Sequence, residues 1–165
     1  MDEKKVIELA GKAYNIIGAA MEVHQELGFG ISEGIYEEAL CIELNDLGFE
    51  THAQCDLPTF YKGILLEKHF RLDIVVDDDI IIELKAVETI LPEHRAQLFN
   101  YMRLTKRPVG ILLNFGKSMH AEKYLFNSET NEVGYFNYKG SNQRRDSMDD
   151  EEGFFDVIKK RNSLN

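Results

Sequence analysis

Long hydrophobic runs are absent from this chain. The longest purely apolar stretches fall far short of the roughly 18 residues that a membrane span needs. No transmembrane segment is therefore expected. The opening MDEKKVIELA mixes acids with lysines and has no small-residue cleavage site. That argues against a secretory signal and for a cytoplasmic protein. Cysteine is scarce: Cys41 and Cys55 form no CxxC pair and have no His partner at zinc-finger spacing. A structural disulfide does not suit a reducing compartment, and both read as small half-buried hydrophobes. A basic excess is also missing. The formal charge is −10, which weighs against a passive nucleic-acid binder. It does not exclude a nuclease, because acids that hold metal ions add negative charge.

Several chemistries lack their residues. The histidines at 24, 52, 69, 94 and 120 are scattered and show no metal spacing. No Ser/His/Asp or Cys/His nucleophile set can be assembled. Neither common type of phosphate-binding glycine loop occurs. No internal repeat and no second domain are visible.

What is present is a helical beginning followed by strands. Val6, Leu9, Ala13, Ile16, Ile17, Ala20, Val23 and Leu27 recur at helical steps, so residues 5–27 read as a helix. Gly28-Phe29-Gly30 stops it. Ser32 is a suitable N-cap for a second helix over 33–47, with Gly48 as its terminator. Strands are expected at 50–57, 59–66, 69–76 and 80–86, with Gly63 marking a turn or bulge and Asp77-Asp78-Asp79 a turn. A helix over 93–105 follows Pro92. Residues 109–115 (VGILLNF) form a nearly continuous apolar run, as a buried central strand would. Weaker strands are expected at 120–126 and 133–138. This order predicts an α/β or α+β mixed sheet with helices on both faces, in one domain over residues 1–139. Residues 140–165 include DSMDDEE, which supplies five acids. They read as an acidic, flexible tail, whose GFFDVIKKR suggests a short amphipathic helix or docking peptide.

The chemistry centres on the hairpin. A turn at Asp78 pairs Val76 with Ile80 and sets Asp73 opposite Glu83, on one face of the sheet. Glu83 and Lys85 are two residues apart and share that face, while Leu84 points into the core with Ile82. Two opposed carboxylates repel, and a divalent cation between them removes the repulsion. Hard oxygen ligands suit Mg2+ or Mn2+. A neighbouring lysine can position water or offset charge on a phosphoryl oxygen. Asp followed by Glu-x-Lys thus suits metal-assisted phosphodiester hydrolysis. A surface salt bridge between Lys85 and either acid explains the same residues, and sequence alone leaves both readings standing.

Three further residue groups belong to the argument. Gln97 and Tyr101 are four apart on one helical face. Gln97 can bind the attacking water or a phosphate, and Tyr101 the nucleic-acid backbone. Their ordinary alternatives are a solvated amide and a core tyrosine. Gly30, Glu33 and Tyr36 form G-x-x-E-x-x-Y. Glu33 lies in a first helical turn, where the macrodipole already favours an acid, yet it can also serve a metal site, with Glu37 as competitor. Tyr36 is a candidate for substrate contact or for the core. His94 and Arg95 open the third helix and are candidates for substrate contact, with Arg103 and Lys106 as further phosphate partners.

With these residues in view, the chain resembles the GxxExxY family of the PD-(D/E)XK nuclease superfamily over roughly residues 10–126. The resemblance runs in order through GFGISEGIYEEAL, YKG at 61–63, RLDIVV at 71–76, IIIELKAV at 80–87, HRAQLFNY at 94–101 and GILLNFG at 110–116. It implies a restriction-endonuclease-like core and a Mg2+- or Mn2+-dependent deoxyribonuclease. Asp73 stands for the first acid, and Glu83 and Lys85 for (D/E)xK. Glu33 stands for the helix-borne acid, and Gln97 with Tyr101 is similar to the QxxxY element of RecB-type exonucleases. The implied ligands are Asp73, Glu83, Glu33 and the Leu84 carbonyl. Leu72 occupies the place of the superfamily's proline. The implied partner is nucleic acid, chiefly DNA, with a further copy of the chain or a protein partner possible and no membrane. The competing expectation is a catalytically silent nucleic-acid- or protein-binding adaptor that keeps the nuclease fold, motivated by the −10 charge and the acidic tail.

Overall fold

The computed structural model describes residues 1–138. The expected acidic tail at 140–165, and the helix or docking peptide suggested within it, lie outside the described residues. Helix α1 runs Glu3–Leu27 and α2 runs Glu33–Asp46. Strands β1 (Thr51–Leu57), β2 (Phe60–Tyr61), β3 (Ile64–Leu65), β4 (Phe70–Val76) and β5 (Ile80–Lys85) follow. Then come α3 (Pro92–Thr105), β6 (Val109–Phe115), β7 (Met119–Asn127) and β8 (Glu132–Tyr135).

Six strands form one mixed sheet in the order β1-β4-β5-β6-β7-β8. Only the β5–β6 pair is parallel. A parallel pair needs a crossover, and α3 supplies it. Every residue of β6 is buried, because the strand is covered on both faces. On one side Val109, Ile111, Leu113 and Phe115 pack with Leu9, Ala13, Ile16 and Ala20 of α1 and with Tyr36 and Leu40 of α2. On the other, Leu112 joins Ile81, Leu98, Tyr101 and Met102. Each large aliphatic side chain buried this way contributes about 1.5–3 kcal/mol. Gly110 lets α3 sit close to β6. A Cβ there would collide with Met102 Sδ and meet Leu98 Cδ1 at 3.1 Å.

Local signals placed most boundaries. Asp2 caps α1, its carboxylate accepting from Lys5 N–H at 2.8 Å. Gly28, at φ 75°, ends it. Ser32 stands at the N-cap of α2 as expected, although its side chain makes no capping bond. Residues 59–66 also differ from expectation. They form a separate two-stranded hairpin rather than one strand, because Lys62 (φ 48°) and Gly63 (φ 78°) both take left-handed geometry and reverse the chain.

Candidate active site

The β4–β5 ladder follows the register read from the turn: Val76↔Ile80, Val75↔Ile81 and Ile74↔Ile82. It stops one step short of Asp73 and Glu83. In place of a backbone pair, Asp73 Oδ2 accepts from Leu84 N–H at 2.8 Å. The β1–β4 ladder also skips this level, pairing Ala53↔Ile74 and Cys55↔Leu72 but not Gln54 with Asp73. Gln54 is left-handed at φ 53°. Side-chain alternation breaks here too. Ile74 and Val76 face α1 and α2, whereas Val75 and Leu72 both join the α3 side. The pairing of β4 is therefore interrupted at Asp73 on both of its edges. The backbone ladder thus ends before Asp73 and Glu83, yet their two carboxyls still face each other across this opened fork.

Glu83 sits in the fork at 2% exposure. Its Oε1 is 3.8 Å from Lys85 Nζ. Its buried Oε2 takes no bond from an N–H or hydroxyl among the described residues, and its carboxyl pairs instead with that of Asp73. Burial, and then the charge of Asp73, push its carboxyl up to about 9 against the opposing pull of Lys85. Burial also raises Asp73, opposed by the Leu84 N–H. Lys85 is nearly buried and donates to Gln97 Oε1 at 3.2 Å. Gln97 Nε2 donates to the Tyr101 hydroxyl at 2.9 Å. Tyr101 is 3% exposed, and its ring meets Phe70 edge-on at 5.7 Å. It braces Gln97 and offers substrate almost no surface, which corrects the expected backbone contact.

The G-x-x-E-x-x-Y segment aims an acid at the end of β5. Gly30 turns the chain at φ 85°. The Tyr36 hydroxyl donates to Gly28 O at 2.6 Å and accepts from Ile31 N–H at 3.4 Å, tying the α1–α2 loop to the helix. Its ring stacks on Phe115 at 4.5 Å. Fully buried, Tyr36 cannot touch substrate, so that expectation is corrected to a structural one. Glu33, on the exposed first turn of α2, reaches across to accept from Ala86 N–H at 3.2 Å. Glu37, one turn on, accepts from Gln54 Nε2 at 2.6 Å. Burial raises its carboxyl despite that bond, and Asp73 and Glu33 add to the rise.

Four acids thus feel one another at this fork. Among the described residues, no three His, Cys, Asp or Glu side chains stand close enough to make a ready-made cation cage. The donor chemistry nevertheless fits a hard divalent ion. Two carboxyls side by side, one of them buried, cannot both ionise cheaply, and a divalent cation between them would let both do so.

Other expected residues lie elsewhere. Arg95 is held by Glu122 through two bonds of 2.8 and 2.6 Å. Its nearest charge partner is therefore a carboxylate of β7. His94 Nδ1 accepts from Leu91 N–H at 3.1 Å, at the start of α3. Arg103 and Lys106, at the far end of α3, both reach Asn131 at 3.4 Å. Lys106 is about 13 Å along the helix axis from Gln97 at 1.5 Å per residue.

Two buried polar residues escaped the sequence reading. Asn114, paired with Lys85 across β5–β6, accepts from Val87 N–H at 3.0 Å and donates to Val87 O at 2.9 Å. It fixes the chain where it leaves the site. Its only signal was a polar residue inside an apolar run. Glu122 takes bonds from Arg95, Tyr124 and His120, and nothing in its local sequence marked it.

A mixed sheet flanked by helices, with an acid and a Glu-x-Lys at an opened strand pair, defines a nuclease-like α/β fold. Residues 11–125 match the PD-(D/E)XK nuclease superfamily, and the chain belongs to it. Among solved structures it is similar to the crystal structure of SSO0001, at 19% identity and a TM-score of 0.46. That match covers 60% of this chain and 54% of the other, so this chain spans about half of that one's length. No curated protein matches. Among the described residues no helix is long and apolar enough to cross a membrane.

Proposed function

We propose that this chain is a Mg2+- or Mn2+-dependent nuclease that hydrolyses phosphodiester bonds in DNA, that it belongs to the GxxExxY group within its superfamily, and that its catalytic domain spans residues 1–139. The observation that carries the proposal is the buried Glu83 carboxyl packed against Asp73 and beside Lys85. Asp73, Glu83, Glu33 and the Leu84 carbonyl would hold the ion. When bound, such an ion acts as a Lewis acid toward the phosphate and acidifies water. The chain's own residues do the rest. Lys85 orients the attacking water and offsets the negative charge that builds on the phosphoryl oxygen. Gln97 holds the Lys85 ammonium in place, and Tyr101 holds Gln97. Water oxygen bonds to phosphorus, the ester P–O bond breaks, and the leaving oxygen takes up a proton.

The test is cleavage of labelled linear duplex, single-stranded and circular DNA, with an RNA control, in Mg2+ or Mn2+. Lys85→Ala should lower turnover by about 10²–10³-fold, the usual effect of removing one transition-state donor. Full activity in that variant would refute its role. A folded wild type that neither cleaves nor binds Mn2+ would favour the silent adaptor instead.

A further inference from the structure

The hairpin β2–β3 is unlike the rest of the surface. Phe60, Tyr61, Ile64 and Leu65 are all 60–68% exposed, and Leu66 and Phe70 beside them are each 41% exposed. Phe60 pairs with Leu65 and Tyr61 with Ile64. Directly paired residues share a face, so both faces of the hairpin are apolar and both are open. A two-stranded hairpin is marginal by itself. An exposed apolar cluster of this kind commonly marks an interaction site.

The charge around it is also unusual. In a chain of formal charge −10, residues 59–71 carry Lys62, Lys68 and Arg71 against the single acid Glu67. Arg71 is paired with Asp56 at 2.8 Å. Lys62 and Lys68 form no ion pair among the described residues, and Lys62 Nζ lies 5.6 Å over the Tyr61 ring. The hairpin also connects to the site. It leads directly into β4, whose first residue, Phe70, packs on Tyr101. Tyr101 bonds Gln97, and Gln97 bonds Lys85.

We propose that β2–β3 is an arm that grips single-stranded nucleic acid beside the active site, with unpaired bases stacking on Phe60 and Tyr61 and phosphates meeting Lys62 and Lys68. Exposed aromatic rings interleaved with lysines are the elements of strand binding without sequence preference. Both rings project from a narrow two-residue strand, where unpaired bases can reach either face. A base stacked inside a duplex offers no such access. The proposal rests on the nuclease reading and narrows its substrate to unpaired strands or ends.

The experiment measures binding of a labelled oligothymidylate and of a blunt duplex to the full chain in EDTA, by anisotropy, for wild type and for Phe60→Ala/Tyr61→Ala. Both side chains are exposed, so the variant should keep the wild-type circular dichroism. The arm predicts single-strand affinity weakened by roughly tenfold or more, with duplex affinity changed less than about threefold. Lys62→Glu should weaken single-strand binding and flatten its salt dependence. Unchanged single-strand affinity, or equal losses on both substrates, would overturn the arm while leaving metal-dependent cleavage intact. A wild-type dimer that the double variant turns into a monomer would also overturn it, by assigning the hairpin to contacts between copies. Failure of the nuclease reading looks different: the wild type would then cut none of these nucleic acids in Mg2+ or Mn2+, whether or not it binds them.

Discussion

Replacing Glu83 by glutamine separates the energetic cost of the site from its chemistry. In an unfolded chain this carboxyl ionises at its ordinary value of 4.5, whereas in the fold it keeps its proton up to about 9. Between those values the native chain binds one more proton than the unfolded chain. Stability from Glu83 is therefore complete below about pH 4.5 and is lost progressively as pH rises toward 9. The loss amounts to about 1.4 kcal/mol per pH unit. Glutamine has nearly the same shape as the protonated acid and does not titrate. Glu83→Gln should therefore be more stable than wild type in the absence of metal, by about 3 kcal/mol at pH 7. In a chain of this size that is roughly 6–12 °C in Tm. The assay is thermal or urea denaturation followed by circular dichroism in EDTA at pH 5, 6, 7 and 8. The gap should widen steadily with pH. A gap constant to within about 0.5 kcal/mol across that range would refute the reasoning, because a carboxyl that ionised normally in the fold would produce no slope. Added Mn2+ should narrow the gap by stabilising only the wild type.

Three further outcomes follow from the same geometry. Mn2+ binding at pH 7 should release about one proton, since Glu83 must ionise to serve as a ligand; calorimetry in two buffers of different ionisation enthalpy measures it, and zero release would contradict the protonated state. Gly110→Ala should destabilise the fold by about 1–3 kcal/mol through overpacking of Met102 and Leu98, and chemical denaturation reads this directly. At Glu122 burial acts upward, but Arg95, Tyr124 and His120 outweigh it and bring the carboxyl down to about 2. Its contribution is thus present above about pH 4.5 and lost as pH falls toward 2, so Glu122→Gln should cost roughly 3 kcal/mol at pH 7 and little near pH 2; a pH-independent cost would refute the ion-pair account.

Much of this protein is determined by local pattern. Apolar residues at three- and four-residue steps define α1, the run VGILLNF defines β6, and the aspartate turn sets the β4–β5 register from Val76↔Ile80 to Ile74↔Ile82. Period and turn chemistry act over a few residues, so they are legible without a fold. They also place Glu83 and Lys85 on one strand two residues apart, whatever the rest of the chain does. The tertiary structure alone decided which partner each polar group takes. Arg95 takes Glu122 as its partner because β7 brings that acid against it from 27 positions away. Tyr36 looked like part of a functional motif until the packing of α2 on β6 buried its ring on Phe115. The β4–β5 pairing ends beyond Ile74, where a side-chain carboxylate rather than the opposing backbone takes the Leu84 N–H. A side chain's periodicity tells which face it occupies. Whether that face meets solvent, a counter-charge or another carboxyl depends on elements that only folding brings together.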